Sequence, residues 1–418
     1  MQAWPTVEVP TIPASPSDQK VPERLVMVTT NNRRAVPIGP ADGDAGLYVC
    51  GITPYDATHM GHAFTYVMFD VLDRVWRDLG LNVRYAQNVT DVDDPLLERA
   101  RATGVDWREL ASDQTQLFRD DMESLRVLPP RWYVPATSII DEVVELIERL
   151  RQQGTIYQVD DPQYPDWYFE VGKAPGFGTE SHLSRQDMIS EFAEHGGDPE
   201  RPGKRDALDC LVWRMERPGE PAWDSRLGRG RPGWHIECTA TALNRLGEDF
   251  AVQGGGRDLA FPHHEMCAAE AIVATGKPFA EAYIHVGMVG LDGEKMSKSL
   301  GNLVLVSKLR AQGVDPMAIR LALLAHGYAS DWSWTQAGLD DAQRRLDAWR
   351  AATRASSGTD AVPVIADIRR ALREGLDTRT ALAVVDEWSS AVLAGDGDDL
   401  AAPQQISQAV DALLGIRL

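Results

Sequence analysis

Residues 50 to 62 read Cys-Gly-Ile-Thr-Pro-Tyr-Asp-Ala-Thr-His-Met-Gly-His, which sets a soft metal ligand, Cys50, nine residues ahead of a His-x-Gly-His step, His59 to His62. A thiolate can hold zinc, and two histidines where a helix opens can cradle phosphates. Cys238, in Gly233-Trp-His-Ile-Glu-Cys238, and His263, in Phe261-Pro-His-His-Glu265, are the other candidate ligands. A catalytic zinc keeps three protein ligands and one open position. No Cys-x-x-Cys pair is present, so spacing alone leaves two readings: a metal site, or three unrelated residues in the core. Cys210 and Cys267 are further candidates; Cys267 follows His263 by one helical turn, with packing as its alternative role.

Lys295-Met-Ser-Lys-Ser299 follows a strand expected at Tyr283 to Val289 and a turn at Asp292-Gly293-Glu294. Its two lysines (Lys295 and Lys298) and two hydroxyls suit a triphosphate whose charge shifts as pyrophosphate leaves. The glycines of Gly254-Gly-Gly256-Arg257-Asp258 give a ligand room against the backbone, and Asp258 can accept bonds from ribose hydroxyls. Each feature has a blander reading when taken alone. A Lys/Ser pentamer is usually a solvated loop, an isolated histidine a cap, and a glycine-rich turn weak evidence. Their order, one motif near each end of an α/β core, points to ATP chemistry.

The elements that must position these residues follow from periodicity. Leu47 to Val49 reads as a strand and Val83 to Gln87 as the next. Between them Phe64, Val67, Met68, Val71, Leu72, Val75, Trp76 and Leu79 share one helical face that Gly80 ends. This strand–loop–helix–strand unit favours a parallel sheet. Ser138 to Gln153 is another amphipathic helix, and Asp315-Pro316 is a helix start. The expected organisation is a flexible lead-in over residues 1–25, a Rossmann-type α/β domain over 26–314 carrying an irregular insertion at about 155–225, and a helical C-terminal domain over 315–418.

Composition narrows the partners. The 418 residues are 44% hydrophobic and 25% charged, ordinary for a globular protein, and no apolar run is long enough to span a bilayer. The N-terminus lacks the pattern of a secretory signal, and four scattered cysteines suit a reducing cytoplasm better than a disulfide framework. The formal net charge of −20 leans against a nucleic-acid partner.

Four segments together resemble the cysteinyl-tRNA synthetases: Cys50-Gly-Ile-Thr-Pro-Tyr with His59-Met-Gly-His62, Gly230-Arg-Pro-Gly-Trp-His-Ile-Glu-Cys238, Gly254 to Glu265, and Lys295 to Ser299. The resemblance covers roughly residues 45 to 345. It implies a class I synthetase core, His59, His62, Lys295 and Lys298 as catalytic residues, and Cys50, Cys238 and His263 as ligands of a zinc that seizes the substrate thiolate. It also places Cys50, Gly51, Ile52, Thr53, Thr65, Asn88, Val89, Thr90, Trp234, Gly256, Arg257, Asp258 and Val289 around an adenylate made from ATP, with Mg2+ accompanying the nucleotide. The synthetases carry a Glu four residues after the matching His, whereas this chain has Cys267, which puts a fourth protein ligand in doubt.

Only 119 residues follow Ser299, and the module with which the synthetases read the anticodon is expected to be missing. With the acidity, this makes the chain similar to the cysteine ligases of mycothiol biosynthesis, which share the core. Glu194-His-Gly-Gly-Asp-Pro199 is similar to a Glu-Arg-Gly-Gly-Asp-Pro motif of those ligases, with His195 in place of Arg. That resemblance implies L-cysteine, ATP and glucosaminyl-inositol (GlcN-Ins) as substrates of a monomer. A shortened cysteinyl-tRNA synthetase is the alternative, and a synthetase-like binding protein without activity is a third reading. The general base is open among Asp91, Asp93, Asp94 and Glu237.

Overall fold

A computed structural model describes residues 1–55, 58–296 and 302–418. The chain opens with an antiparallel hairpin of β1 (Leu25–Val28) and β2 (Ala35–Ile38). Then come β3 (Asp44–Val49), α1 (Met60–Asp78), β4 (Asn82–Val89), α2 (Asp94–Thr103), α3 (Trp107–Ser124), β5 (Trp132–Pro135) and α4 (Ile140–Gln152). Next are β6 (Ile156–Gln158), β7 (Trp167–Phe169), α5 (Arg185–Glu194), β8 (Cys210–Met215) and β9 (Gly230–Pro232). The core resumes with α6 (Trp234–Leu246), β10 (Phe250–Gly256), α7 (Glu265–Thr275) and β11 (Ala280–Val286). The remainder is β12 (Val289–Leu291), β13 (Glu294–Lys295), α8 (Val306–Ala311), α9 (Pro316–Leu324), β14 (Trp332–Trp334), α10 (Gln336–Thr353), α11 (Ala361–Arg373), α12 (Thr378–Leu393) and α13 (Ala402–Leu414).

The central sheet runs β11-β10-β3-β4-β5 with every neighbour parallel. The chain winds outward from β3 through β4 to β5, then returns to β10 on the other side of β3. The topological switch point therefore lies between β3 and β10, where an open α/β sheet binds its ligand. Cys50 follows β3 there, its N–H donating to the Gly254 carbonyl of β10 at 3.1 Å.

The helix expected after His62 is α1, and its whole apolar face is buried up to Trp76, with Leu79 half-buried. Asp70 and Arg74 are buried as well. Arg74 donates to Asp70 at 2.8 Å, and Arg320 of α9 donates to the same carboxylate. Arg320 also reaches the carbonyls of Leu125 (2.8 Å) and Leu414 (2.7 Å), so one ion cluster ties the sheet domain to the C-terminal helices. Burial raises the Asp70 pKa, but Arg320 and Arg74 outweigh it and hold the carboxyl below its ordinary value. The stability it contributes is present above the unfolded carboxylate pKa of about 3.9 and is lost as pH falls through the lower folded value. Arg320→Leu is expected to cost about 3–5 kcal/mol by stranding a buried charge, and to move acid unfolding to higher pH. Urea titrations across pH would show both; unchanged stability would mean that Arg74 alone satisfies Asp70.

Four expectations are corrected. The N-terminal segment, expected to be a flexible lead-in, packs down: Trp4 is buried, its indole N–H donates to the Val127 carbonyl at 2.7 Å, and Arg369 of α11 donates to the Ile12 carbonyl and the Asp18 carboxylate. The irregular insertion is an antiparallel sheet, β6-β7-β8-β9, with a hydrophobic core of its own against α4 and α6. The single strand expected at Tyr283 to Val289 is two. β11 ends at Val286, and β12 joins a small separate sheet, because at Gly287 the chain turns so close to Ser330 that a Cβ would lie 2.1 Å from its carbonyl oxygen. The C-terminal part contains a strand, β14, which pairs in parallel with β12.

Candidate active site

Cys50, Cys238 and His263 converge. Cys50 arrives from the end of β3, Cys238 from the second turn of α6, and His263 from the turn before α7. Their ligand atoms all lie within 4.8 Å of one another, and all three side chains are buried. Two thiols and an imidazole form the donor set a soft divalent metal takes. Burial pushes the Cys50 thiol up. It would do the same to Cys238, but bonds from Cys50, His263 and Tyr48 overcome it and hold that thiol down, so one thiolate is already favoured.

Around the cluster lies a polar layer that no spacing rule announces. His235 Nδ1 is 2.9 Å from His263 Nδ1, which orients the His263 ring and leaves Nε2 towards the thiols. Burial, then His263 beside it, holds the His235 pKa well down and the ring neutral. Trp234 stacks on His263 with ring centroids 4.3 Å apart. Cys50 Sγ lies 3.2 Å from His264 Nε2, and His264 Nδ1 lies 2.8 Å from His285 Nε2. Cys267 Sγ, at the position of the synthetases' Glu, donates to the His235 carbonyl at 3.5 Å and lies 4.0 Å from His263 Nε2. Its doubtful ligand role thus becomes a packing contact outside the three-ligand group. His235→Ala is expected to weaken metal affinity about 10–100-fold, read by competition with a chromogenic chelator. Unaltered affinity would show that Trp234 stacking orients His263 on its own.

The first motif expected to hold phosphate opens α1. His59 is the N-cap, its Nδ1 accepting from the N–H groups of Gly61 (3.1 Å) and His62 (3.4 Å), and its ring stacks on His62 at 3.8 Å. With Nδ1 accepting, a neutral His59 carries its proton on Nε2. Met60 N–H donates to the Val304 carbonyl and Val306 N–H to the Thr58 carbonyl, both at 3.0 Å. These bonds stitch the first motif to the chain just beyond the second. Lys295 stands in β13, paired with Gly290 of β12. Lys298, with Ser297 and Ser299, lies outside the described residues.

The remaining expected positions divide into two groups. Gly51 lies so close to β4 that a Cβ would sit 1.7 Å from the Asn88 carbonyl oxygen, so only glycine fits. Asn88 Oδ1 accepts from Gly51 N–H at 2.7 Å, Asn88 donates to Thr90, and Thr90 N–H donates to the Ile52 carbonyl. Thr65 donates back to the Gly61 carbonyl at 3.1 Å. These bonds tie Gly51 and Ile52, just after β3, to the end of β4. By contrast Arg257, Asp258 and Val289 line a cavity of about 1110 Å3, with Gly256 just before them. Sequence reasoning missed Glu265, whose carboxylate accepts from the N–H groups of Gly178 (2.7 Å) and Ser181 (2.8 Å) and so fastens the insertion over the site.

A doubly wound sheet with a soft three-donor cluster at its switch point, and a His-x-Gly-His step opening the helix beside it, defines an enzyme core of the class I synthetase type. Residues 39–344 match the family model for the class I (C) tRNA synthetase catalytic domain. The chain is 56% identical to the Thermobifida fusca protein named L-cysteine:1D-myo-inositol 2-amino-2-deoxy-alpha-D-glucopyranoside ligase, covering 100% of this chain and 99% of that one. It is 57% identical to the ligase of the same name from Kribbella flavida, over 100% of both. The fold is also that of Mycobacterium tuberculosis methionyl-tRNA synthetase in complex with methionyl-adenylate, with a TM-score of 0.60 at 16% identity over 89% of each chain. The chain belongs to the class I (C) synthetase family and, within it, to the family of these cysteine ligases.

Proposed function

We propose that this chain joins L-cysteine to the amino group of GlcN-Ins at the expense of ATP, through a cysteinyl-adenylate, in mycothiol biosynthesis. The observation that carries the reading is the buried Cys50–Cys238–His263 cluster, set at the switch point of a chain that aligns end to end with ligases of that name. Zinc is the metal these donors suit, and when bound it supplies a fourth position that takes a thiolate in preference to a hydroxyl. Cysteine is thereby separated from serine, isosteres that an apolar pocket distinguishes poorly.

A cysteine carboxylate oxygen attacks the α-phosphorus of ATP, and the bond to pyrophosphate breaks. His59, His62, Lys295 and Lys298 stabilise the charge on the phosphates, with Mg2+ on the nucleotide. The sugar amine then attacks the acyl carbon, the bond to AMP breaks, and the amine gives up a proton. Among the four carboxylates considered as its acceptor, Asp91 is engaged by Thr137 at 2.9 and 2.5 Å, and Asp94 by Arg231 at 2.5 Å. Glu237 is buried, with one carboxylate oxygen lacking a partner among the described residues. Burial raises Asp93 to about 6, but its carboxylate caps α2, accepting from Asp94 N–H at 2.8 Å, so none of the four is assigned as the base.

No helix among the described residues is long and apolar enough to cross a membrane. Four unpaired cysteines suit a cytoplasmic enzyme, and a small acceptor asks for neither RNA nor a second chain. The test sets GlcN-Ins beside tRNA in the presence of cysteine and ATP. AMP release should respond to the amino sugar, and a response to tRNA alone would favour the synthetase reading.

A further inference from the structure

The cavity of about 1110 Å3 exceeds the roughly 300–1,000 Å3 that one small ligand fills. Its lining includes Asp258, Met288, Val289, Gly290 and Met296, among them two positions expected at the adenylate. It also includes residues of elements the activation chemistry does not use: Ser181, Glu191, Glu194 and His195 of the insertion, and Thr30 and Arg33 of the first hairpin. We propose that this second group is the subsite for the acceptor, a polyhydroxylated molecule bearing one primary amine. The inference rests on the ligase reading above.

Three observations support it. The two elements are clipped together, His182 Nε2 donating to the Asn31 carbonyl at 2.7 Å and Arg33 to the His182 carbonyl at 3.5 Å. Glu194-His-Gly-Gly-Asp-Pro199 divides by role. Gly196 takes a left-handed φ of 87°, and at Gly197 a Cβ would lie 2.5 Å from the Phe192 ring, so neither position accepts a side chain without strain. Asp198 accepts from Lys204 at 3.0 Å, which anchors the turn, while Glu194 and His195 face the cavity. His195 Nδ1 donates to the Glu191 carbonyl at 2.8 Å, leaving Nε2 of a neutral ring as an acceptor for a hydroxyl. Ser181 is nine-tenths buried, lines the cavity, and its hydroxyl has no partner among the described residues.

The charge fits an amine better than a phosphate. Glu191, Glu194, Asp258 and Glu294 line the space, and of the two arginines Arg257 is paired with Asp331 at 2.8 Å. Carboxylates repel a triphosphate and attract an ammonium group.

Glu194→Gln and His195→Ala test the assignment against cysteine-dependent ATP–pyrophosphate exchange, which needs no acceptor. Each variant is expected to raise KM for GlcN-Ins at least tenfold while exchange stays within twofold of the parent, which also reports that the variant is folded. An unchanged KM for GlcN-Ins, or a raised KM for ATP in exchange, would overturn the subsite and leave the ligase reading standing. A parent enzyme that exchanges pyrophosphate but forms no amide with GlcN-Ins would overturn both.

Discussion

Cys238→Ala is expected to strip the protein of its metal and of its ability to choose cysteine. Cys50 and His263 would remain, two donors where a stable site needs three or four. Cys238 is also the thiol held down by its neighbours, so the substitution removes the charge that favours a divalent cation. Metal content should fall from about one per chain to none. Cysteine-dependent pyrophosphate exchange should fall by a factor on the order of 10^3, equivalent to about 4 kcal/mol of lost substrate positioning, and the preference for cysteine over serine should vanish with it. Alanine suits an interior helical position, so α6 should persist. Metal analysis beside exchange assays with both amino acids decides the matter: a variant that stays metal-replete and selective would refute the ligand assignment.

The second large effect concerns His59. This histidine has two jobs that substitution can separate. As N-cap it satisfies the N–H groups of Gly61 and His62, a contribution of about 1 kcal/mol to stability. In the proposed mechanism it also donates to phosphate. Asparagine is a good N-cap but is too short to reproduce the second role. His59→Asn should therefore unfold at nearly the parental temperature while kcat for adenylate formation drops about 10^2–10^3-fold, the usual cost of one lost donor to developing charge, with KM for cysteine little changed. A variant with parental turnover would reduce His59 to a structural cap.

The chemistry of this chain was more legible in its sequence than its architecture. Cys50, Cys238 and His263 lie on three elements far apart in the chain, and the motifs around them, not their spacing, identified them as a set. The long helix α1 and the strands beside it followed from periodicity because a central parallel sheet demands long apolar runs. The insertion did not, since β6, β7 and β9 are three residues each, too short for alternation to register among prolines and glycines. Asp70, Arg74 and Arg320 carry no signal in the sequence because only the tertiary fold brings them together in the core. His235 was passed over for a related reason: a residue that orients a ligand through one hydrogen bond obeys no fixed spacing to it. The Pro-rich start misled through composition, because its anchors, Trp4 in the core and Arg369 of α11 on Ile12 and Asp18, come together only in the tertiary fold.

The most direct test of the metal-gripped substrate is optical. With cobalt(II) in place of the native metal, the protein should show thiolate-to-metal charge transfer from Cys50 and Cys238. Adding L-cysteine without ATP should increase that band by about half as a third sulfur joins, and L-serine should leave it unchanged. A spectrum indifferent to cysteine, or one that responds equally to serine, would contradict the claim that this cluster holds the substrate by its sulfur.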